Sequence, residues 1–178
     1  AALWVRALAG APAWVTRQAG TAFMSGVTCA DEYARARSVP GITLELSQKG
    51  FAPEAAQTTE RVLREALRLG DALRHDPAAL HEAAAAQPEL DHLETVFRQT
   101  FSSAAMSLRP GLENFTSVLE GELLSAPGTE PLRAPVAGSL LFPKYPPRDE
   151  GGRALDPRPG EIYRIVRRLS GDPTLLWG

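Results

Sequence analysis

Cysteine is almost absent from this sequence, since Cys29 is the only one among 178 residues. One cysteine forms no disulfide within the chain, which favours a reducing compartment, and we expect the cytoplasm. No stretch approaches the roughly 18 uninterrupted apolar residues that a membrane-spanning helix needs. The net charge of -2 gives no general attraction to nucleic acid or to an anionic membrane. We therefore expect neither as a partner.

Histidine is also scarce, and the three that occur are His75, His81 and His92. A hydrolytic zinc site needs three protein ligands and an open position for water. The spacing from His75 to His81 is not one that brings two ligands to the same face of a helix. We therefore predict no metal ligands in this chain. A Gly-rich phosphate loop, a Cys-x-x-Cys pair and a nucleophile-elbow serine are missing as well.

The residues that are present follow two different patterns along the chain. Apolar spacing in the first part predicts helices at 1–9, 29–38 and 53–75, an extended segment at 12–18 and a strand at 42–46. The later part has short apolar runs between turn residues, at 95–101, 104–108, 135–142 and 161–166. Such runs are typical of a small β sandwich or barrel.

This change of pattern predicts two domains. We place an α/β unit at residues 1–76, a linker at residues 77–91 and a β-rich domain at residues 92–178. The linker is rich in Ala, Asp, Glu and Pro, and it contains a short helical run at 78–86. The predicted fold class is therefore α/β followed by a β-rich domain.

Glu45 is the first candidate for chemistry. Side chains alternate along the strand at 42–46, so Glu45 lies opposite the apolar face, where a carboxylate can act as a general base. A solvated glutamate on an edge strand is the alternative. Arg37 is a second candidate, because a guanidinium can bind a carboxylate through two parallel hydrogen bonds, and Arg35 is a nearly equal one. Tyr33 lies on the same helix face as Arg37.

Two groups of short motifs resemble the succinylglutamate desuccinylase and aspartoacylase family of zinc carboxypeptidase-like enzymes. The first is Tyr33-Ala34-Arg35-Ala36-Arg37-Ser38-Val39, followed by a Pro-Gly turn and Ile42-Thr43-Leu44-Glu45-Leu46. The second comprises Leu112-Glu113-Asn114-Phe115-Thr116, Glu120-Gly121-Glu122-Leu123-Leu124, Leu141-Phe142-Pro143-Lys144 and a later Pro159-Gly160. The resemblance covers most of the chain outside the linker, in the family's order.

The resemblance implies an activity and a cofactor. It implies that residues 1–76 are the closing portion of a zinc-peptidase-like α/β domain. The activity would be hydrolysis of an amide in an N-acyl amino acid or a similar small carboxylate, with zinc as the cofactor. Glu45 would be general base and then acid, Arg37 would anchor a substrate carboxylate, and Tyr33 and Tyr145 would contact substrate. Tyr163 is expected to pack in its strand, and Lys144 and the loop at 148–150 to be solvated.

The family's zinc ligands, His-x-x-Glu and a later His, precede the glutamate strand and have no match here. We therefore expect the chain to be the C-terminal part of such a hydrolase, inactive alone and dependent on a missing N-terminal half or a partner chain. The alternative is a catalytically empty binding or assembly module, or half of a split enzyme. Uncovered apolar surface would then favour association, including formation of a homo-oligomer.

Overall fold

The computed structural model describes residues 2–8, 13–16, 33–34, 37, 43, 52–156 and 159–169. Its contacts divide the chain into two compact units, and one division falls between His92 and Leu93. The described helices belong to the first unit, and most of the sheet belongs to the second. Among the described helices, none is both long and apolar enough to cross a membrane.

The first unit contains three described helices: α1 (Ala2–Ala7), α2 (Pro53–Ala72) and α3 (Ala79–Ala85). Pro53 suits the first turn of α2, because its missing N–H would have no helical partner there. These bounds confirm the helices predicted at 1–9, 53–75 and 78–86, although each is slightly shorter than expected. Only Tyr33, Ala34 and Arg37 of the helix predicted at 29–38 are described, and only Thr43 of the strand predicted at 42–46.

A small apolar cluster holds the three helices together. It is centred on one buried residue from each helix, Ala7, Leu69 and Ala84, with Leu3, Trp4, Leu8, Leu80 and Ala83 packed around them. The Arg6 guanidinium adds two hydrogen bonds, of 3.2 and 2.9 Å, to the carbonyl of Gln87. The apolar face of α2 is only partly covered, since Leu63 and Leu67 are 59% and 76% exposed.

The sheet contains five described strands: β1 (Ala13–Thr16), β2 (Asp91–Thr100), β3 (Ser117–Val118), β4 (Gly138–Leu141) and β5 (Glu161–Arg168). Their order across the sheet is β1-β2-β5-β4-β3. The central strand, β5, pairs antiparallel with β2 on one side and with β4 on the other. Its apolar residues are buried on both faces, as expected for a central strand.

The core of the second unit lies against this sheet. Its buried residues are Met106, Leu108, Leu112, Val118, Leu124, Leu132, Ala134, Leu140, Ile162, Tyr163 and Ile165. Many come from the long connections between β2, β3 and β4 rather than from the strands. Isolated bridges, such as Leu108 with Ser125 and Leu123 with Arg133, tie these connections together.

The structure corrects two predictions for this part of the chain. The described strands form one sheet of five strands, not the two packed sheets of a sandwich or the barrel that we predicted. The segment at 104–108 is not a strand, because only Leu108 makes a bridge. The segment is apolar because Met106 and Leu108 are buried in the core. Strands β2, β4 and β5 do overlap the runs predicted at 95–101, 135–142 and 161–166.

Candidate functional site

Tyr33 and Arg37, both predicted to contact substrate, lie against each other. The Arg37 guanidinium carbon lies 3.5 Å from the centre of the Tyr33 ring, and its Nη1 donates a hydrogen bond of 3.4 Å to the Tyr33 carbonyl. Both side chains are exposed. Stacking on the ring restricts the guanidinium and leaves N–H groups at its edge for a carboxylate. This is the contact that a spacing of four helical residues predicts.

Glu45 and Arg35 lie outside the described residues, so their roles stay predictions. A zinc site requires three donor side chains around one point. The described part of the chain includes all three histidines, and it contains no group of three His, Cys, Asp or Glu side chains that could hold a metal ion. The donors of this part therefore do not fit the zinc that the resemblance implies.

Tyr145 is half exposed, but its hydroxyl is engaged with the backbone of a turn. The hydroxyl accepts a hydrogen bond of 3.1 Å from the Leu112 N–H and lies 2.9 and 3.0 Å from the carbonyl oxygens of Leu112 and Arg109. Burial raises the pKa of this phenol, against the opposing effect of the Leu112 hydrogen bond. The contacts give Tyr145 a role in fixing the turn, and its predicted contact with substrate stays a prediction.

The two motifs of the second unit that resemble the family meet in space. The backbone N–H of Phe142 donates a hydrogen bond of 2.7 Å to Oδ1 of Asn114. Beside it, the N–H of Phe115 donates to the Leu140 carbonyl at 2.7 Å, and the Leu140 N–H donates to the Thr116 carbonyl at 2.8 Å. The segments around Asn114 and Phe142 therefore form one junction, which extends the pairing of β3 with β4.

Both phenylalanines of this junction have a backbone conformation that L-residues rarely adopt. Phe115 has a φ of 67° and Phe142 a φ of 54°, and they are the only non-glycine residues with positive φ in the described part of the chain. A bulky side chain in this region costs about 1–2 kcal/mol. Phe142 also precedes Pro143, and the residue before a proline normally favours extended backbone.

Positive charges surround the ring of Phe142. The ammonium nitrogen of Lys144 lies 5.2 Å from the ring centre, and the guanidinium carbon of Arg164 lies 5.7 Å from it. Arg164 and Arg98 both form ion pairs with the buried carboxylate of Glu161, at 2.9 and 2.6 Å. Lys144 is half buried and contacts a ring, so the expectation that it is merely solvated is wrong.

In the loop at 148–150, also predicted to be solvated, Asp149 and Glu150 are exposed as predicted, but Arg148 is tied into the fold. Arg148 donates hydrogen bonds to the carbonyls of Gly152 at 2.6 Å and Met106 at 2.7 Å. The Asp149 carboxylate accepts the Arg153 N–H at 2.8 Å. Arg148 thus helps to hold the Met106 segment in place, and the prediction for this residue is wrong.

Tyr163 packs in the core, as predicted. Its side chain is fully buried, its ring lies 6.0 Å from that of Phe97, and its hydroxyl donates a hydrogen bond of 3.2 Å to the Arg133 carbonyl. Burial raises the pKa of this phenol to about 12. Tyr163 therefore stays neutral at physiological pH, and its role is to pack in the hydrophobic core.

An open cleft of about 580 Å³ lies among the helices of the first unit, and it contains none of the predicted site residues. Ala7 and Leu8 lie on one side of the cleft, and the charged face of α2 lies on the other. Four of the five charged residues of α2 that line the cleft are paired within the helix, Glu60 with Arg64 at 2.7 Å and Glu65 with Arg68 at 2.6 Å. These exposed pairs contribute little stability, and they leave the cleft without a group of converging unsatisfied charges.

In comparisons of sequence, no family model and no curated protein matches the chain. A comparison with solved structures does find matches. The structure of succinylglutamate desuccinylase from Vibrio cholerae matches with a TM-score of 0.51 and 19% sequence identity, over 78% of this chain and 37% of that chain. A second structure of this enzyme, from Vibrio parahaemolyticus, matches the same shares at 17% identity with a TM-score of 0.39. The chain therefore has the fold of a portion of succinylglutamate desuccinylase, spanning little more than a third of that enzyme's length.

Proposed function

We propose that this chain is part of an amide hydrolase that removes the acyl group from an N-acyl amino acid. The observation that carries the proposal is the shared fold with succinylglutamate desuccinylase, whose name describes the removal of a succinyl group. The match covers 37% of that enzyme, so the complete active site would include residues outside this chain. Zinc, if it serves here, would be held by residues outside the described part of the chain, because the described donors do not fit it.

Arg37 would bind the carboxylate of the amino acid. Its guanidinium is exposed and stacked on Tyr33, which limits its motion and keeps its N–H edge available. A planar guanidinium and a carboxylate can then form two parallel hydrogen bonds. This arrangement favours substrates that carry a free carboxylate beside the amide.

Glu45 would transfer the proton. It would accept a proton from the attacking water and later donate it to the nitrogen of the leaving amine, so that the amide C–N bond breaks without forming a free amine anion. Water adds to the acyl carbon, and the products are a carboxylic acid and an amino acid. The role rests on the resemblance around Glu45, since that residue lies outside the described part.

The test is the Glu45→Gln substitution, assayed with N-succinylglutamate in the assembled hydrolase. Glutamine keeps the size of the side chain but cannot accept the proton, so we expect kcat to fall about 100-fold or more. Glu89→Gln is the matched control, because Glu89 is exposed and also belongs to the first unit. Turnover that is unchanged in Glu45→Gln would remove Glu45 as the base.

A second candidate function is a binding or assembly module without its own catalysis. It is favoured by one observation, the lack of a metal-binding group among the described residues. The same assay separates the two functions. A correctly folded assembly that binds N-succinylglutamate but never hydrolyses it, with or without Glu45, would establish the binding module.

A further inference from the structure

We propose that the exposed face of α2 binds the same face of a second copy of this chain, so that two antiparallel helices form a symmetric dimer. Residues on this face are spaced alternately by four and three positions, and every one of them is exposed: Ala56, Glu60, Leu63, Leu67, Gly70 and, in the turn after α2, Arg74. This alternation is the heptad spacing by which two helices pack along a seam. We call these residues the α2 seam. Such a dimer does not depend on the proposed function.

The centre of the α2 seam is apolar. Leu63 and Leu67 lie one helical turn apart and are each more than half exposed, although the helix already packs on another side through Leu69. Two adjacent leucines in solvent leave apolar area that association would remove from water. In an antiparallel pair, Leu63 of each copy packs against Leu67 of the other, so one symmetric contact covers all four side chains.

The ends of the α2 seam carry opposite charges, which favours the antiparallel direction. In the register that joins the leucines, Glu60 of one copy lies across from Gly70 of the other, one turn from Arg74. Helical side chains lean towards the N-terminus of their own helix, so the Glu60 carboxylate and the Arg74 guanidinium lean towards each other. A parallel pair would place Glu60 beside Glu60 and Arg74 beside Arg74, where like charges repel.

Both charged groups are available, and the seam has room between them. The Arg64 guanidinium binds Glu60 through Oε1 alone, at 2.9 and 2.7 Å, which leaves Oε2 for a second guanidinium. Arg74 is exposed and has no ion-pair partner among the described residues. A β-carbon at Gly70 would meet no atom within 4 Å, so a second helix can approach the backbone closely there.

The contact is small, so the association should be weak. One helix from each copy covers less area than the roughly 1,600 Å² that is usual for a stable interface. Exposed ion pairs at its ends add little to the affinity. We therefore expect a monomer–dimer equilibrium with a Kd of about 100 μM.

The experiment is sedimentation equilibrium of the full chain at concentrations from about 10 μM to about 1 mM. We expect the wild type to change from monomer to dimer across this range. Leu67→Glu places a charge in the apolar centre and should stay monomeric throughout. Leu119→Glu is the matched control, because Leu119 is also exposed but belongs to the second unit, and it should associate like the wild type. Circular dichroism verifies that each variant retains its helices.

An exchange of charges tests the direction of the two helices. Glu60→Arg or Arg74→Glu alone should weaken association about tenfold, since each brings like charges together. Both substitutions in one chain restore opposite charges only between antiparallel helices, so the double variant should associate within about threefold of the wild type.

Three results would overturn the proposal. The first is a wild type that stays monomeric at every concentration, as expected if a different protein or another part of the hydrolase covers this face. The second is a double variant that associates as weakly as either single one. The third is equal weakening by Leu67→Glu and Leu119→Glu, which would place the contact elsewhere.

Discussion

At the scale of single residues, the two strained phenylalanines are the feature that sequence patterns least reveal. Asn, Gly and Asp are the residues that usually adopt positive φ, whereas Phe115 and Phe142 would be assigned to ordinary backbone. Their conformation depends on contacts with residues far along the chain, such as the bond between the Phe142 N–H and Asn114. Local sequence therefore cannot predict it.

The strain at Phe115 can be measured by comparing two substitutions. Phe115→Gly and Phe115→Ala both remove the ring, but only glycine adopts a φ of 67° without a steric penalty. We expect the glycine variant to have the higher free energy of unfolding, by about 1 kcal/mol, in chemical denaturation. Leu119 is the control position, since it is exposed and has no positive φ. There the alanine variant should be the more stable, and the same order at both positions would argue against strain at Phe115.

At the scale of elements, the helices were predictable because their signals are local. Pro53 and the apolar spacing that follows define α2, and the spacing from Tyr33 to Arg37 predicts their contact. The β-rich part was predictable only in outline. Apolar runs mark burial, but Met106 and Leu108 are buried in a connection without a regular ladder of hydrogen bonds. A short apolar run looks the same in the sequence whether its residues are buried in a paired strand or in a connection.

Strand β4 depends on a glycine for its pairing with β5. A β-carbon at Gly138 would lie 2.6 Å from Cγ2 of Ile165 and 2.6 Å from the carbonyl oxygen of Val166. The second of these is backbone of the central strand, which cannot move without disturbing its neighbours. We expect Gly138→Ala to lower the free energy of unfolding by about 1–3 kcal/mol, measured by chemical denaturation. Gly160→Ala is the control, because a β-carbon there meets no atom within 4 Å. Equal stability of the two variants would contradict this close packing.

At the scale of the whole molecule, the sequence predicted the kind of fold better than the site. The order of short motifs indicated a desuccinylase-like chain, and the fold comparison agrees. The junction of Asn114 with Phe142 was not predicted, because the two residues are 28 positions apart and meet only through the pairing of β3 with β4. The part of the site around Glu45 lies outside the described residues and stays a prediction.

The global stability should depend on alkaline pH through Tyr163. The folded-state pKa of this phenol is about 12, above its ordinary value of about 10. Above pH 10 the phenol loses its proton in the unfolded chain before it does so in the folded chain. The stability that the neutral, buried phenol contributes is therefore fully present below pH 10 and declines as the pH rises towards 12. Denaturation series at several pH values should show a smaller decline for Tyr163→Phe than for the wild type. Tyr33→Phe, which alters an exposed tyrosine, should decline like the wild type, and identical curves for all three proteins would exclude this role of Tyr163.

The strand order has a consequence for how this chain is made. The middle of the sheet, β5, is the last of the described strands to leave the ribosome, and β2 and β4 reach their common partner only then. At a synthesis rate of about 5–20 residues per second, β2 waits roughly 4–15 s for β5. During this interval the nascent chain exposes strand edges that other proteins can pair with. We therefore expect chaperones to bind the nascent chain before its release.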